Sequence, residues 1–323
     1  MRAVVCKQWG PPESLVVEEV PDLRAAAGQV VIDVKAASVN FPDLLIIQNQ
    51  YQFKPPLPFT PGSEVAGVVR EVGEGISDVR PGDRVLATTG WGGFAEQART
   101  GAGGAIPIPD SMGFEEAAAL LMTYGTSHYA LVDRAALRPG ETLLVLGAAG
   151  GVGLSAVEIG KLLGARVIAA ASSDEKLAVC KQKGADELIN YSREDLKERT
   201  KELTGGKGAD VVYDPVGGDY AEAALRATAW EGRFLVIGFT AGIPRIPLNL
   251  ILLKGCQVVG VFWGAFTGRD PKRNRENIHE LLDWFEQGRI KPHVSASYPL
   301  ERAADALNAM AARKVTGKVV LLP

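Results

Sequence analysis

Cysteine is scarce: only Cys6, Cys180 and Cys256 occur in 323 residues, far apart and in no CxxC or CxxH cluster. That excludes a disulfide scaffold and a zinc ribbon, and it predicts reduced, buried thiols. No apolar run approaches the roughly 20 residues needed to span a bilayer, and residues 1–10 lack the apolar stretch of a secretory leader. An excess of one charge is missing too, since 35 Lys and Arg stand against 38 Asp and Glu. The densest basic stretch, residues 269–275, is short and interrupted by Asp270. A nucleic-acid surface needs a basic face, and none is offered. There is no repeat and no low-complexity segment. The expected setting is the cytoplasm, with neither a nucleic acid nor a membrane as partner.

What is present suits two domains, taking about 150 residues for each. Up to residue 122 short β-rich runs (30–34, 64–69, 83–86) alternate with turns at Pro61-Gly62 and Pro81-Gly82. Such spacing predicts a small barrel-like β unit. Beyond residue 122 strands and helices alternate: strands at 142–146, 165–171, 209–213, 233–237 and 257–262, with helices at 152–163 and 174–183. That rhythm is the signature of βαβ units around a parallel sheet. An amphipathic helix over 276–287 leads away from it, and the apolar run 317–322 reads as a strand returning to the first domain. The expected boundaries are 1–122 plus 290–323 for the β-rich domain and 123–289 for the doubly wound one.

The strongest local motif follows the apolar run 142–146: Gly147-Ala148-Ala149-Gly150-Gly151-Val152-Gly153, with a helix directly after it. In a GxGxxG register Ala148 replaces the first glycine, while Gly150 and Gly153 fit the other two. A strand before and a helix after are the context in which such a turn admits a pyrophosphate at the helix N-terminus. The competing reading is a tight turn with no ligand. An NAD site places an acid about 20 residues on, at the end of the second strand. Here the residue 18 positions after Gly153 is Ala171, followed by Ser172 and Ser173, with Lys176 one turn into the next helix. Hydroxyls and a cation suit a 2′-phosphate, so NADPH is the expected cofactor. Asp174 is the one acid that could take the other role, and Lys176 could equally be a solvated helix charge.

Over nearly its whole length the chain resembles the zinc-free, quinone oxidoreductase branch of the medium-chain dehydrogenases/reductases. The likeness is carried by Asn40-Phe41-Pro42-Asp43, Pro61-Gly62-Ser63-Glu64-Val65-Ala66-Gly67, Arg80-Pro81-Gly82-Asp83-Arg84-Val85, Gly92-Gly93-Phe94-Ala95-Glu96, Ala148-Ala149-Gly150-Gly151-Val152-Gly153 and Thr316-Gly317-Lys318-Val319-Val320, in that order. It implies an α/β fold, a Rossmann doubly wound parallel sheet inserted in a GroES-like β-barrel catalytic domain, and a homodimer or homotetramer. Zinc relatives carry Cys, His and a third ligand where this chain has Asn40, Ser63 and, near it, Met122. Those are not a plausible Zn²⁺ set. The four-cysteine structural zinc lobe is missing as well, so no metal is expected.

Without a Lewis acid the protein must polarise its substrate by other means. The resemblance places Tyr51 as the substrate-side acid or hydrogen-bond donor, though the ring could instead pack on residues 55–58. It places Asn40 on substrate or nicotinamide ribose, with Asp43 organising the site or holding its loop. To the turn residues Ala149, Gly150, Gly151 and Val152 and the set Ser172, Ser173 and Lys176 the resemblance adds Thr126, Tyr191 and Arg313, the last with a helix-end surface charge as its alternative, while Phe239 and Phe262 are expected to line the cofactor cleft or else to be core aromatics. The expected reaction is NADPH-dependent hydride transfer to quinones or similar conjugated carbonyls. An enal, enone or enoyl-thioester reductase, or a crystallin-like NADPH-binding protein without turnover, remain the alternatives.

Overall fold

The run Thr142–Val145 is apolar on both faces, as a strand covered by helices on either side must be. It is the centre of a six-stranded sheet in the computed structural model, which describes residues 1–323. In space the strands lie in the order Glu187–Asn190, Arg166–Ala171, Thr142–Val145, Ala209–Asp214, Thr228–Val236, Gln257–Gly260. Every neighbouring pair is parallel. Counted along the chain this is the order 3-2-1-4-5-6 of the dinucleotide-binding sheet, with its switch point between the first and fourth strands. The sheet belongs to the unit Thr123–Ile290.

The other unit, Met1–Met122 with Lys291–Pro323, is built on a mostly antiparallel seven-stranded sheet. Its long strand Gln29–Val39 pairs with Glu64–Val72, with Gln97–Gly101 and with the closing strand Lys318–Leu322. The last pairing returns the end of the sequence to its beginning, as the sequence predicts. Alternating Val30, Ile32 and Val34 meet Val65, Val69, Val85 and Phe94 in the core of this unit. The α/β fold class expected from the sequence is therefore the one observed.

Several local expectations are corrected. The amphipathic helix runs over Pro271–Glu286, starting five residues before the predicted 276. Pro271 occupies its first turn and Asp270 caps it, accepting from the Arg273 N–H at 3.0 Å. Those start signals outweigh the charge of the 269–275 stretch. The sixth strand ends at Gly260, so Phe262 precedes a further helix, Trp263–Arg269, instead of closing the strand. The strand Glu187–Asn190 and the helix Phe41–Ile47 were not foreseen. No helix is long and apolar enough to cross a membrane. All three cysteines are buried and unpaired.

Candidate functional site

The first functional region is the turn after Thr142–Val145. Gly147 sits at φ +54°, and the helix Gly151–Leu162 starts with Gly150 as its cap and no side-chain acceptor for its first N–H groups. Those orphan donors, at the positive end of a 12-residue helix, are what a pyrophosphate needs. Gly153 explains the third glycine of the motif, since a Cβ there would meet Gly147 O at 2.4 Å and Ala148 Cα at 2.7 Å. Ala148 is buried, so its methyl replaces the first motif glycine without projecting into the turn's open side. Ala149 is also buried, whereas Gly150, Gly151 and Val152 are half-buried.

The strand Arg166–Ala171 ends in Ala171, and Ser173 caps the following helix, Asp174–Gln182. Lys176 Nζ donates to Ser172 Oγ at 3.2 Å, and Ser192 Oγ donates to Ser172 O at 2.9 Å. Asp174 is not aimed at this group. Its Oδ1 accepts from Asn190 Nδ2 at 2.9 Å and from Arg193 at 2.7 Å, and the Asn190 bond holds its carboxyl below the usual range. The strand end thus gathers two serines and an ammonium, with the nearby acid already engaged. Tyr191 packs against Tyr220 with the rings tilted at 48°, centroids 4.6 Å apart, next to the same loop. Thr126 opens the short helix Thr126–His128, between two π-helical turns. Phe239 and Phe262 are 41% and 47% exposed, so neither is a core aromatic. Arg313 belongs to the other unit, exposed after the helix Ala303–Ala311 at φ +55°. The structure therefore groups Ser172, Ser173, Lys176 and Tyr191 around one strand end and the glycine turn beside it.

The second region is a buried polar cluster in the unit of the first 122 residues. Asn40 heads the helix Phe41–Ile47, and Asp43 Oδ2 accepts its backbone N–H at 2.8 Å. Asn40 Nδ2 donates to Glu64 Oε2 at 3.2 Å and to Ser38 O at 3.4 Å, while Asn40 Oδ1 accepts from Lys318 Nζ at 2.6 Å. Lys318 Nζ also donates to Val39 O at 2.8 Å, and Glu64 Oε1 accepts from Met122 N at 2.9 Å. Asp43 and Glu64 are fully buried and Lys318 is 4% exposed. Asp43 Oδ1 and the Ser63 hydroxyl are buried without a completed hydrogen bond, although Ser63 lies near enough to favour the ionised carboxyl.

Burial dominates the electrostatics. It pushes Asp43 up to about 7 against the Asn40 N–H and the Lys318 ammonium, and it raises Glu64 and lowers Lys318. Tyr51, half-buried beside Phe53 at 5.8 Å, is raised first by burial and then by Asp43, so its phenol keeps its proton at neutral pH. Asp43 titrates higher in the fold than the roughly 4 of an unfolded chain, so ionising it costs stability as pH rises between those values. Asp43→Asn, which stays neutral, should therefore be more stable than the parent at about pH 8, with little advantage at about pH 4. Urea unfolding at both values checks this, and an advantage that does not grow with pH would contradict it.

Sequence reading singled out Asn40, Asp43 and Tyr51 but missed Glu64 and Lys318 as members of one cluster. The signal available was a charged residue heading an otherwise apolar strand, in Glu64–Val72 and again in Lys318–Leu322. The three positions matching zinc ligands do come together, because Glu64 bonds Asn40 and Met122 and follows Ser63 in the chain. Their donors are a carboxamide, a hydroxyl and a thioether. No group of three or more His, Cys, Asp and Glu side chains is placed to hold a metal. Zinc does not fit this donor set.

Residues 26–110 match the alcohol dehydrogenase GroES-like domain family, and residues 151–287 match the zinc-binding dehydrogenase family. The chain is 42% identical to quinone oxidoreductase-like protein 2 of Bos taurus, over 99% of this chain and 92% of that protein. It is 32% identical to the synaptic vesicle membrane protein VAT-1 homolog of Homo sapiens, over 100% and 86% of the two chains. Among solved structures it is similar to the quinone oxidoreductase of Escherichia coli complexed with NADPH, with a TM-score of 0.92, 32% identity and 100% coverage of both chains. The chain belongs to the quinone oxidoreductase family of the medium-chain dehydrogenases/reductases.

Proposed function

We propose that this protein is an NADPH-dependent oxidoreductase that reduces quinones or similar conjugated carbonyls without zinc. Support for the cofactor comes from the uncapped helix N-terminus at Gly150 and the Ser172–Lys176 pair, together with the NADPH-bound relative. The first-turn N–H groups of Gly151 and Val152 would hold the pyrophosphate, and Ser172, Ser173 and Lys176 a 2′-phosphate. Tyr191 would flank the adenosine end, Arg313 would add charge there, and Thr126, Phe239 and Phe262 would serve the nicotinamide end. When bound, NADPH supplies the hydride.

The observation that carries the reading is Tyr51, a half-buried phenol held protonated beside the buried Asp43 carboxyl, in a cluster that offers no group of three His, Cys, Asp or Glu side chains. A quinone that accepts a hydride also needs one proton to become a hydroquinone. The Tyr51 hydroxyl donates that proton to the substrate oxygen, and Asp43 holds the next one beside it. Asn40 keeps the framework in register, because its carboxamide is already bonded to Lys318 and Glu64. The exposed Phe53 and Leu57 that follow Tyr51 offer apolar surface to a flat ring.

Lys176→Ala should weaken NADPH binding about tenfold or more and leave NADH binding unchanged, from the loss of one charge-assisted bond. Calorimetry with both dinucleotides checks this, and an equal loss for the two would remove Lys176 from the phosphate site. The reading includes a homodimer. The sixth strand, Gln257–Gly260, has a free outer edge, and Ile243, Leu248, Leu252 and Leu253 in the same unit are 65–81% exposed. Sedimentation of a Leu252→Glu/Leu253→Glu variant should show monomers where the parent shows dimers, and a monomeric parent would end that part of the proposal. Three unpaired, buried thiols suit the reducing cytoplasm.

A further inference from the structure

A lysine buried to 4% exposure, with only neutral carbonyls as hydrogen-bond partners, is costly unless nearby carboxylates balance it. Lys318 reaches that position because Gly317, at φ +61°, lets the chain press against His293, where a Cβ would lie 2.2 Å from His293 O. Its own N–H then bonds His293 O at 2.8 Å, and the side chain turns into the core. From there one continuous path runs from Lys318 Nζ to Asn40 Oδ1, and from Asn40 Nδ2 to Glu64 Oε2. The ammonium fixes which end of the Asn40 carboxamide faces which neighbour.

The cluster holds one cation and two carboxyls, so burial favours a single proton on one of the acids. Hydrogen bonding decides which. Glu64 accepts at both oxygens, from Met122 N and Asn40 Nδ2, whereas Asp43 accepts only at Oδ2 and leaves Oδ1 without a partner. Bonds to the charged form stabilise it, which favours the charge on Glu64 and the proton on Asp43.

We propose that Lys318 is a positioning residue: its ammonium orients Asn40 and, against Glu64, sets how readily Asp43 holds a proton beside Tyr51. This rests on the reading of Tyr51 and Asp43 as the proton-handling pair. The groups facing Asp43 are Asn40 from its own helix, Lys318, Ser63, Glu64 and Tyr51. The helix packed against Phe41–Ile47, Ala303–Ala311, buries Ala303, Ala306 and Leu307 and keeps its acid, Asp305, exposed and paired with Arg302. The direction of each influence agrees with the geometry: Lys318 lowers Asp43 and Glu64 raises it.

The test follows the Asp43 carboxyl by its infrared C=O stretch in the NADPH-free protein, assigned by its loss in Asp43→Asn, beside the pH profile of quinone turnover. Lys318→Met should move both midpoints up by about 1–3 pH units, and Glu64→Gln should move them down. Lys318→Met/Glu64→Gln should fall between the two. If Lys318→Met does not fold, the downward shift in Glu64→Gln and the midpoint of the neutralised double variant still decide the matter. Midpoints that stay in place in the folded variants would overturn the proposal and leave Lys318 a structural residue. The two readings separate in Asp43→Asn. A pH limb that survives that change sinks the proton-handling pair itself, while a limb that vanishes there but ignores Lys318 and Glu64 sinks only this inference.

Discussion

Tyr51→Phe should lower the kcat for quinone reduction by about 10²–10⁴-fold, the usual contribution of a positioned acid. NADPH affinity should be unchanged, because the glycine turn and the Ser172–Lys176 pair are untouched and the ring is retained. The substitution removes one hydroxyl and nothing else. Phe packs beside Phe53 as Tyr does, so melting temperature is expected to stay close to that of the parent. Loss of kcat at constant KM for NADPH marks an interaction made in the transition state. A variant that turns over as fast as the parent would reduce Tyr51 to an aromatic packed near residues 55–58.

Gly153→Val should abolish NADPH binding. The added Cβ alone meets Gly147 O at 2.4 Å, so the turn must open or the helix Gly151–Leu162 must retreat from it. Either movement displaces the first-turn N–H groups from the place where an anion would sit. The strand before the turn is buried on both faces and cannot yield, which directs the strain into the turn. Titration of the folded variant with NADPH measures this, with circular dichroism as the check on folding. Binding within a few-fold of the parent would show that the cradle lies elsewhere.

The two regions differ in how far the sequence reveals them. The dinucleotide turn is local: strand, glycines and helix are consecutive, so steric and hydrogen-bond demands are written in adjacent residues. The absence of an acid at Ala171 and the presence of Ser172, Ser173 and Lys176 were legible for the same reason. Asp174 was ambiguous until Asn190 and Arg193 were seen to engage it, because that pairing depends on how the loop after the unforeseen strand Glu187–Asn190 folds back. The polar cluster is the opposite case. Asn40, Asp43, Glu64, Met122 and Lys318 are scattered over nearly the whole chain, and only the pairing of Lys318–Leu322 with Gln29–Val39 brings the last of them in. Asn40 and Asp43 stood out as a motif, yet their three-residue spacing also starts a helix, which the sequence reading overlooked. Phe262 was assigned to a strand because its apolar run continues past Gly260, where the backbone turns instead into the helix Trp263–Arg269.

The most direct test of the central claim is oxidation of NADPH and NADH by chelator-treated protein, against a panel of quinones and a panel of enoyl thioesters. The account predicts turnover of quinones that prefers NADPH, survives the chelator and is lost in Tyr51→Phe. Turnover confined to the thioesters, activity that disappears with the metal, or tight NADPH binding with no oxidation by any acceptor would contradict it.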